Sequence, residues 1–485
     1  MYATIDRSTT PPHVTVPRRY NAAVDLLLRH VAEGRGERTA IIDADGRHSY
    51  AALADRALRV ASALRDLGVE PEQRVALALV DTVDWPAAFL GAILLGAVPV
   101  PLNTLLVADD YRYLLRDSRA RALLVSDALL PKLGDAIADA PSLKAVAVVD
   151  SPLGPAAGAD PGRFPRWRAL WEAAAPLATP ADTTSDDVAF WLYSSGSTGK
   201  PKAALHLHAS PIHTAALYAG PILGLGPDDV VYSAAKLFFA YGLGNALTFP
   251  LAVGATAVLL ADRPTPPAVI ATLRRHQPTV FCGVPTLFAS LLADPGLSRA
   301  TTSEALRVST SAGEALPKHV GERWRDRMGT EILDGIGSTE LLHIFLSNRP
   351  GDVTYGTTGR PVPGYDLELR GDDGFPVADG EEGALWVRGP SVCAGYWNDR
   401  ARSQATFHGP WSRTGDRYRR DPDGTWTCCG RADDLLKVGG IWVSPFEVES
   451  ALGAHPAVLE AAVVGAADAD GLVKPKAFVV LAPGR

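Results

Sequence analysis

The sequence predicts an α/β protein with a large N-terminal region of two α/β subdomains and a small β-rich subdomain, then a return to α/β at the end. Three observations predict it. Apolar strand-like runs alternate with helically spaced segments between Arg19 and Thr310, the order of a parallel sheet covered on both faces. After about Gly356 the texture changes to short strands separated by turns. A chain of 485 residues exceeds what one core organises.

In order, helical spacing is carried by Ala23, Leu26, Leu27 and Val31, then by Ala52, Ala57, Val60, Ala63 and Leu64, with the strand-like Thr39–Ile42 between them. Arg74–Val80 reads as a strand, Ala87–Leu95 as a helix, and Ala97–Leu102, Arg121–Val125 and Ala145–Val149 as strands. Ser151–Asp187, rich in Pro, Ala and Asp, reads as a surface connection. The second set comprises a helix over His213–Ala219, the strand Ala255–Leu260, a helix over Pro267–His276, the strand Thr279–Cys282, a helix over Pro285–Leu292 and the strand Arg307–Thr310. Asp366–Arg370, Gly383–Arg388 and Gly424–Cys428 are the short strands of the β-rich part. Pro445–Leu452 is a helix opened by proline, followed by strands at Val458–Val464 and Lys476–Leu481.

Composition excludes several function classes. With 47 Lys+Arg against 54 Asp+Glu, a net charge of −7 and no basic block, nucleic acid is not expected as a partner. The four cysteines, Cys282, Cys393, Cys428 and Cys429, form no Cys-x-x-Cys pair, so no zinc or disulfide framework is expected and a reducing cytoplasm is the natural compartment. The N-terminus lacks the apolar core of a signal peptide. The uncharged run Trp85–Leu102 reaches roughly the 18-residue length of a membrane span. Pro86, Pro99 and Pro101 break it, so a buried helix feeding a core strand is expected instead.

The chemistry concentrates at Tyr193–Lys202, Tyr-Ser-Ser-Gly-Ser-Thr-Gly-Lys-Pro-Lys. The apolar run Val188–Tyr193 before it predicts a buried strand, so a loop leaving its end sits where α/β proteins bind ligands. Small hydroxylated residues, Gly196 and Gly199, and the ammonium groups of Lys200 and Lys202 can wrap a polyphosphate. The Walker spacing fails, because Ser194 stands at its first glycine position and Pro201 follows Lys200. A flexible Gly/Ser linker is the bland alternative.

Four further clusters follow in order: Ser311-Ala-Gly-Glu-Ala315, Asp334-Gly-Ile-Gly-Ser-Thr-Glu340, Arg413-Thr-Gly-Asp416 and Gly430-Arg-Ala-Asp-Asp-Leu-Leu-Lys-Val-Gly-Gly440. Together with Tyr193–Lys202 they resemble the adenylate-forming superfamily of acyl-CoA synthetases, adenylation domains and luciferases. Ser233–Pro250, Ser338–Ser347 and Lys437–Pro445 resemble its benzoate-CoA ligase branch. The resemblance spans nearly the whole chain. It implies an aryl-CoA ligase that joins an acid to AMP, releases pyrophosphate and passes the acyl group to the CoA thiol, with ATP, Mg²⁺ and coenzyme A as cofactors and a benzoate-type acid as substrate.

Residue by residue, the resemblance implies that Ser194, Ser195, Gly196, Ser197, Thr198, Gly199, Lys200 and Lys202 hold the β- and γ-phosphates, with Ala203 standing where glycine is usual. Gly313, Glu314 and Ala315 with Gly335 and Ile336 sandwich the adenine, and Asp334 joins the ATP/AMP-binding set. Asp416 accepts from the ribose hydroxyls and Arg431 reaches the ribose or phosphate, although Asp416 alone could merely shape a turn. Candidate catalytic residues are Thr339 at the α-phosphate, Glu340 on the magnesium, His343 and Lys437. Phe239, Ala240, Tyr241, Asn245, Gly335 and His343 line the acyl pocket, where aromatic walls and small residues suit a flat ring. His343 reads either as a donor to the acid or as a satisfied core histidine, and Lys236 as a pocket residue or a surface charge. The N-terminal domain then spans residues 1–432. A mobile C-terminal domain spans 433–485, with Asp433 at the hinge and Lys437, Gly439 and Gly440 along the pantetheine tunnel. A homodimer is implied by resemblance only.

The pattern departs at the end. The family's glycine-flanked lysine near the C-terminus, which offsets charge during adenylation, has no match before Arg485, so the C-terminal domain is expected to be incomplete. Three readings stay open: a shortened ligase, an enzyme that only thioesterifies an acyl-adenylate supplied by a partner adenylating enzyme, and a non-catalytic binder of aryl acids or adenylates.

Overall fold

The computed structural model describes the chain apart from residues 159, 197–198, 433–435, 439–440, 456, 468–472 and 482–485; for 161, 195–196, 199, 437–438, 441–442, 450, 467 and 473 only the backbone is described. It is a mixed α/β protein with a large N-terminal and a small C-terminal part, and the predicted alternation holds across both strand sets. The assignment of strands to sheets differs from their order in the chain. Strands Val98–Pro101, Arg74–Ala78, Ala122–Ser126 and Ala145–Val149 form a four-stranded parallel sheet in that spatial order. Thr39–Asp43, early in the chain, belongs instead to a nine-stranded sheet. There it lies parallel to Thr256–Val258, which continues through Val230–Ser233, Val280–Gly283, Val308–Ser311 and Ile332–Gly337.

The central strands are covered on both faces, as in parallel sheets: Val280–Gly283 and Val308–Ser311 are buried at every position, although the latter carries the hydroxyls of Ser309, Thr310 and Ser311. Helices begin where the local chemistry allows. Ser49 caps Tyr50–Asp66 by accepting from the Ala52 amide at 3.1 Å, and Pro266 and Pro285 open their helices where a missing N–H costs nothing. The broken apolar run folds as foreseen, into helix Asp84–Leu94 and strand Val98–Pro101. No helix among the described residues is long and apolar enough to cross a membrane.

Two local expectations are corrected. Ser151–Asp187 is more than a surface connection, because helix Trp167–Ala173 buries Trp167 and Trp171 against the core. Val24–Leu28, Ala215–Ala219 and Gly244–Thr248 form wide π turns that α periodicity does not signal.

Asp366–Arg370, Glu382–Arg388, Trp411–Arg420, Phe407–His408 and Trp426–Arg431 make the antiparallel β-rich part. The C-terminal part holds the hairpin of Leu436–Val438 and Ile441–Val443, helix Pro445–Gly453 and the hairpin of Val458–Ala467 and Val473–Leu481.

Candidate active site

The candidate phosphate segment is the tip of a β-hairpin. Val188–Gly196 runs further than expected and pairs antiparallel with Gly199–Leu207, setting Ser194 opposite Lys202; Ser197 and Thr198 lie outside the described residues. The hairpin base is braced from outside. Tyr193 Oη donates to Asp117 Oδ2 at 2.6 Å, Tyr113 Oη to the Pro201 carbonyl at 3.0 Å, and Arg402 Nη1 to the Lys200 carbonyl at 3.2 Å. Ala203 is buried in the core and faces Tyr193 across the hairpin, so a methyl group is accommodated where glycine was expected. Ser194 Oγ is buried with no partner among the described residues.

A segment that sequence reasoning missed completes this corner. Residues 394–397 lie alongside the second hairpin strand: the Ala394 amide donates to the Leu205 carbonyl at 2.8 Å and the Trp397 amide to Ala203 at 3.0 Å. This register delivers Tyr396 to Lys202. Lys202 Nζ donates to Tyr396 Oη at 2.7 Å and lies 3.1 Å from Glu340 Oε1, to which Tyr396 Oη donates at 2.7 Å. Burial pushes the Glu340 carboxyl up, but Lys202 and Tyr396 outweigh it and hold the group below its ordinary value, ionised at neutral pH.

The loop carrying Glu340 is fixed through its carbonyls. His206 Nε2 meets the Thr339 carbonyl at 2.9 Å, the Cys393 amide donates to Glu340 at 2.8 Å, and Ser391 Oγ donates to Leu341 at 2.7 Å. Because a carbonyl only accepts, His206 carries its proton on Nε2. Trp85, Phe89, Phe190 and His206 form one aromatic row, with ring centroids 5.1, 5.2 and 5.1 Å apart, that ties this loop to the core.

The nucleotide candidates lie on neighbouring strands. Ser311, ending Val308–Ser311, is level with Asp334 in Ile332–Gly337, so Gly313–Ala315 leave beside Asp334–Ile336. Gly313 needs its positive φ of 96°. Ser311 Oγ and Asp334 Oδ1 are buried without partners among the described residues, as expected where a polar ligand is received. Asp416 is within strand Trp411–Arg420 rather than at a turn. It stands opposite Arg431, whose Nη1 donates to Asp416 Oδ1 at 3.1 Å.

The acyl candidates adjoin the same strand, since Tyr241 Oη contacts the Thr310 carbonyl at 2.9 Å and Thr310 Oγ1 at 2.7 Å. The His343 ring is caged by Tyr218, Tyr241 and Phe249, with centroids 5.3, 5.6 and 4.4 Å away. Tyr218 and Phe249 were not foreseen. Neither was Gly244, where a Cβ would stand 2.3 Å from His343 Cδ2. His343 is not a satisfied core histidine: neither ring nitrogen makes a hydrogen bond of good geometry among the described residues, and burial lowers its pKa to about 3, offset only in part by the Tyr241 carbonyl. Asn245 is wholly buried, with neither amide atom partnered among the described residues. Gly335 is buried with Ile344 packed against it, and Ala240 begins helix Ala240–Leu243. Phe239 is half exposed, its ring tilted against Phe238 with centroids 4.5 Å apart rather than enclosed. Lys236 is largely buried, which removes the surface-charge reading.

Lys437 lies in the short strand Leu436–Val438 with only its backbone described, and Asp433, Gly439 and Gly440 fall outside the described residues.

The buried histidines have a measurable consequence. Burial lowers His206, His208 and His213 to about 4 and His343 to about 3, whereas the unfolded chain protonates them near pH 6.5. Their contribution is present above that pH and lost as pH falls towards 4; Asp81 (raised to about 6) and Asp334, both raised by burial, act in the opposite direction. The thermal midpoint is expected to fall between pH 7 and 5, and a flat or rising midpoint would contradict the neutral buried state of these imidazoles.

The AMP-binding enzyme family model matches residues 28–397. The chain belongs to the AMP-binding enzyme family. Its C-terminal domain model matches residues 447–485. Within this family the chain is 54% identical to a benzoate–CoA ligase of Thauera aromatica, over 99% of this chain and 89% of that one. It is 53% identical to a 4-hydroxybenzoate–CoA/benzoate–CoA ligase of Rhodopseudomonas palustris, over 96% and 85%. Among solved structures it resembles a benzoate CoA ligase from Burkholderia xenovorans, with a TM-score of 0.87 at 54% identity over 95% of this chain and 89% of that one. It also resembles an anthranilate CoA ligase in complex with anthranoyl-AMP, with a TM-score of 0.90 at 39% identity over 97% and 88%. These relatives place the chain in the benzoate-CoA ligase branch of the AMP-binding family. They favour an AMP-forming acid–thiol ligase over a thioester-only enzyme or a non-catalytic binder.

Proposed function

We propose that this aryl-CoA ligase activates benzoate-type acids in the His343 cage and uses the Lys202–Tyr396–Glu340 corner for the nucleotide. The observation that carries the reading is the strand Val308–Ser311. Thr310 fixes Tyr241 of the acyl candidates, and the next residue, Ser311, is level with Asp334 of the nucleotide candidates, so acid and ATP are received side by side.

In the first half-reaction a carboxylate oxygen of the acid attacks the α-phosphorus of ATP and pyrophosphate leaves. Lys202 and Lys200, with the hairpin amides, hold the departing phosphates, and Thr339 meets the α-phosphate. Asp416 and Arg431 hold the ribose, and Gly313–Ala315 with Asp334–Ile336 enclose the adenine. Glu340, an ionised and nearly buried carboxylate, suits Mg²⁺, a hard cation that takes few protein ligands and keeps its phosphates and waters. When bound, the ion neutralises charge on the pyrophosphate. In the second half-reaction the CoA thiol attacks the acyl carbon, loses its proton and displaces AMP, with Lys437 beside the thiol arm. The residues beyond 432 act as the domain that alternates between the steps about Asp433. His343 is neutral at working pH and, with Asn245, keeps unfilled hydrogen-bonding capacity, so hydroxy- and aminobenzoates belong to the same substrate class as benzoate.

The test separates the half-reactions: benzoate with MgATP followed by pyrophosphate release, against benzoyl-AMP with CoA followed by thioester. Both are expected to run with this chain. Thioester formation without pyrophosphate release would contradict the adenylating role, and binding without either would contradict catalysis. Asp416→Ala is expected to weaken nucleotide binding, and Lys437→Ala to slow thioester formation alone; equal losses in both half-reactions for both variants would overturn that division.

A further inference from the structure

One buried charge pair lies outside the site described above. Asp81 is 4% exposed and follows strand Arg74–Ala78 of the four-stranded sheet. Its Oδ2 stands 4.0 Å from Lys236 Nζ and accepts from the Leu237 amide at 3.4 Å, while Oδ1 has no partner among the described residues. Lys236 Nζ also donates to three successive carbonyls beyond strand Thr256–Val258: Leu260, Ala261 at 3.4 Å and Asp262 at 2.6 Å. Lys236 itself lies just beyond strand Val230–Ser233. One ammonium therefore ties together the chain leaving three parallel strands, two from the nine-stranded sheet and one from the four-stranded sheet.

The backbone at Lys236 continues into the acyl candidates without slack. The Lys236 carbonyl accepts from the Phe239 amide at 3.0 Å, and a Cβ on Gly242 would stand 2.0 Å from the same oxygen, so the turn is closed onto helix Ala240–Leu243. That helix carries Tyr241 and runs directly into the π turn Gly244–Thr248, which holds Gly244 against His343 and carries Asn245. A carboxylate and an ammonium buried where apolar residues would fold as well need a reason beyond stability.

We propose that Lys236 and Asp81 are positioning residues for the aryl acid: the ammonium pins the turn that sets where Tyr241, Gly244 and Asn245 stand, without touching the acid. The inference rests on the placement of the acid in the His343 cage. A shift of about 1 Å in such a wall costs up to about 10²-fold in reactivity.

The test compares Lys236→Met with the double variant Asp81→Asn/Lys236→Met, which leaves no buried charge without a partner and keeps an acceptor for the Leu237 amide. Thermal midpoint and the KM values for benzoate, ATP and CoA are measured on the full chain. The single variant is expected to lower the midpoint and the double to recover most of it. In both, the KM for benzoate is expected to rise about tenfold, with those for ATP and CoA staying within about twofold. A double variant with normal midpoint and normal benzoate KM would reduce the pair to charge compensation and overturn the proposal, as would a parallel rise in all three KM values. Where Lys236→Met does not fold, Lys236→Arg keeps the charge but not the fit of a compact ammonium among three carbonyls, and its benzoate KM is read in the same way. Gly244→Ala, measured alongside, tests the cage itself. A benzoate KM raised by Gly244→Ala but unmoved by the double variant defeats the anchor alone, and a benzoate KM unmoved by either defeats the cage and the anchor with it.

Discussion

Glu340→Gln is expected to slow pyrophosphate release from benzoate and MgATP by about 10²–10³-fold, the scale on which a single aligned electrostatic contact contributes to a transition state. Gln keeps an oxygen that can accept from Tyr396 Oη, so the variant removes charge and leaves shape and one hydrogen bond in place. Two losses combine. The metal candidate loses its carboxylate, and Lys202 loses the counter-charge 3.1 Å away that holds it at the hairpin. Lys202→Met is expected to lose nearly as much, and Tyr396→Phe about tenfold, because Phe keeps the ring under Lys202 Nζ, 4.4 Å from its centroid, and deletes only the bridging hydroxyl. The three act as a unit, so Glu340→Gln/Lys202→Met should cost far less than the product of the single losses. Thioester formation from benzoyl-AMP and CoA is expected to stay within about threefold in all of them, since the leaving group there is AMP and no pyrophosphate has to be held or neutralised. Equal losses in both half-reactions would show that the corner merely supports the fold, and fully multiplicative losses would show that the three residues do not cooperate.

That corner also marks the boundary of what could be read in the sequence. Motifs whose parts are contiguous can be read locally: hydroxyls, glycines and ammonium groups close together single out Ser194–Lys202 as a phosphate candidate, and Asp334–Glu340 stands out by its resemblance to the family. Tyr396 was not. It is 194 residues from Lys202 and 56 from Glu340, and only the pairing of residues 394–397 with the hairpin brings it there. Its local signal, an aromatic pair after Gly395, is indistinguishable from core packing. The alternation of strands and helices was equally local, so the elements were found. Their distribution between sheets was not, since Thr39–Asp43 joins the nine-stranded sheet through partners more than 200 residues away. The π turns escaped because their burial is complete at every position of Ala215–Ala219 and Gly244–Thr248, leaving no polar face from which to read a period. Lys236 was open in the sequence between a pocket residue and a surface charge, and only the three carbonyls beyond Val258 show why an ammonium is buried there.

Gly244→Ala is the second large expected effect, and it follows from one approach distance. The added methyl would stand 2.3 Å from His343 Cδ2 and 2.7 Å from Nε2, closer than side-chain atoms pack, so ring or backbone has to move. The ring has few ways out. Phe249 and Tyr218 close two sides, and Tyr241 closes a third with its hydroxyl fixed on Thr310. Overpacking of this kind costs about 1–3 kcal/mol of stability, and displacement of the imidazole into the space read here as the acid's is expected to lower kcat/KM for benzoate by about 10²-fold, most of it through KM. ATP binding, which uses the neighbouring strand ends, should change little. Adding His343→Ala to Gly244→Ala removes the clash and opens the cage. That double variant is expected to regain stability, to bind benzoate poorly, and to accept acids with larger ring substituents than the parent chain does. Calorimetry and initial rates with a graded series of substituted benzoates measure both. If Gly244→Ala lowers the thermal midpoint yet leaves the benzoate KM unchanged, the π turn absorbs the strain away from His343, and the imidazole does not line the acid.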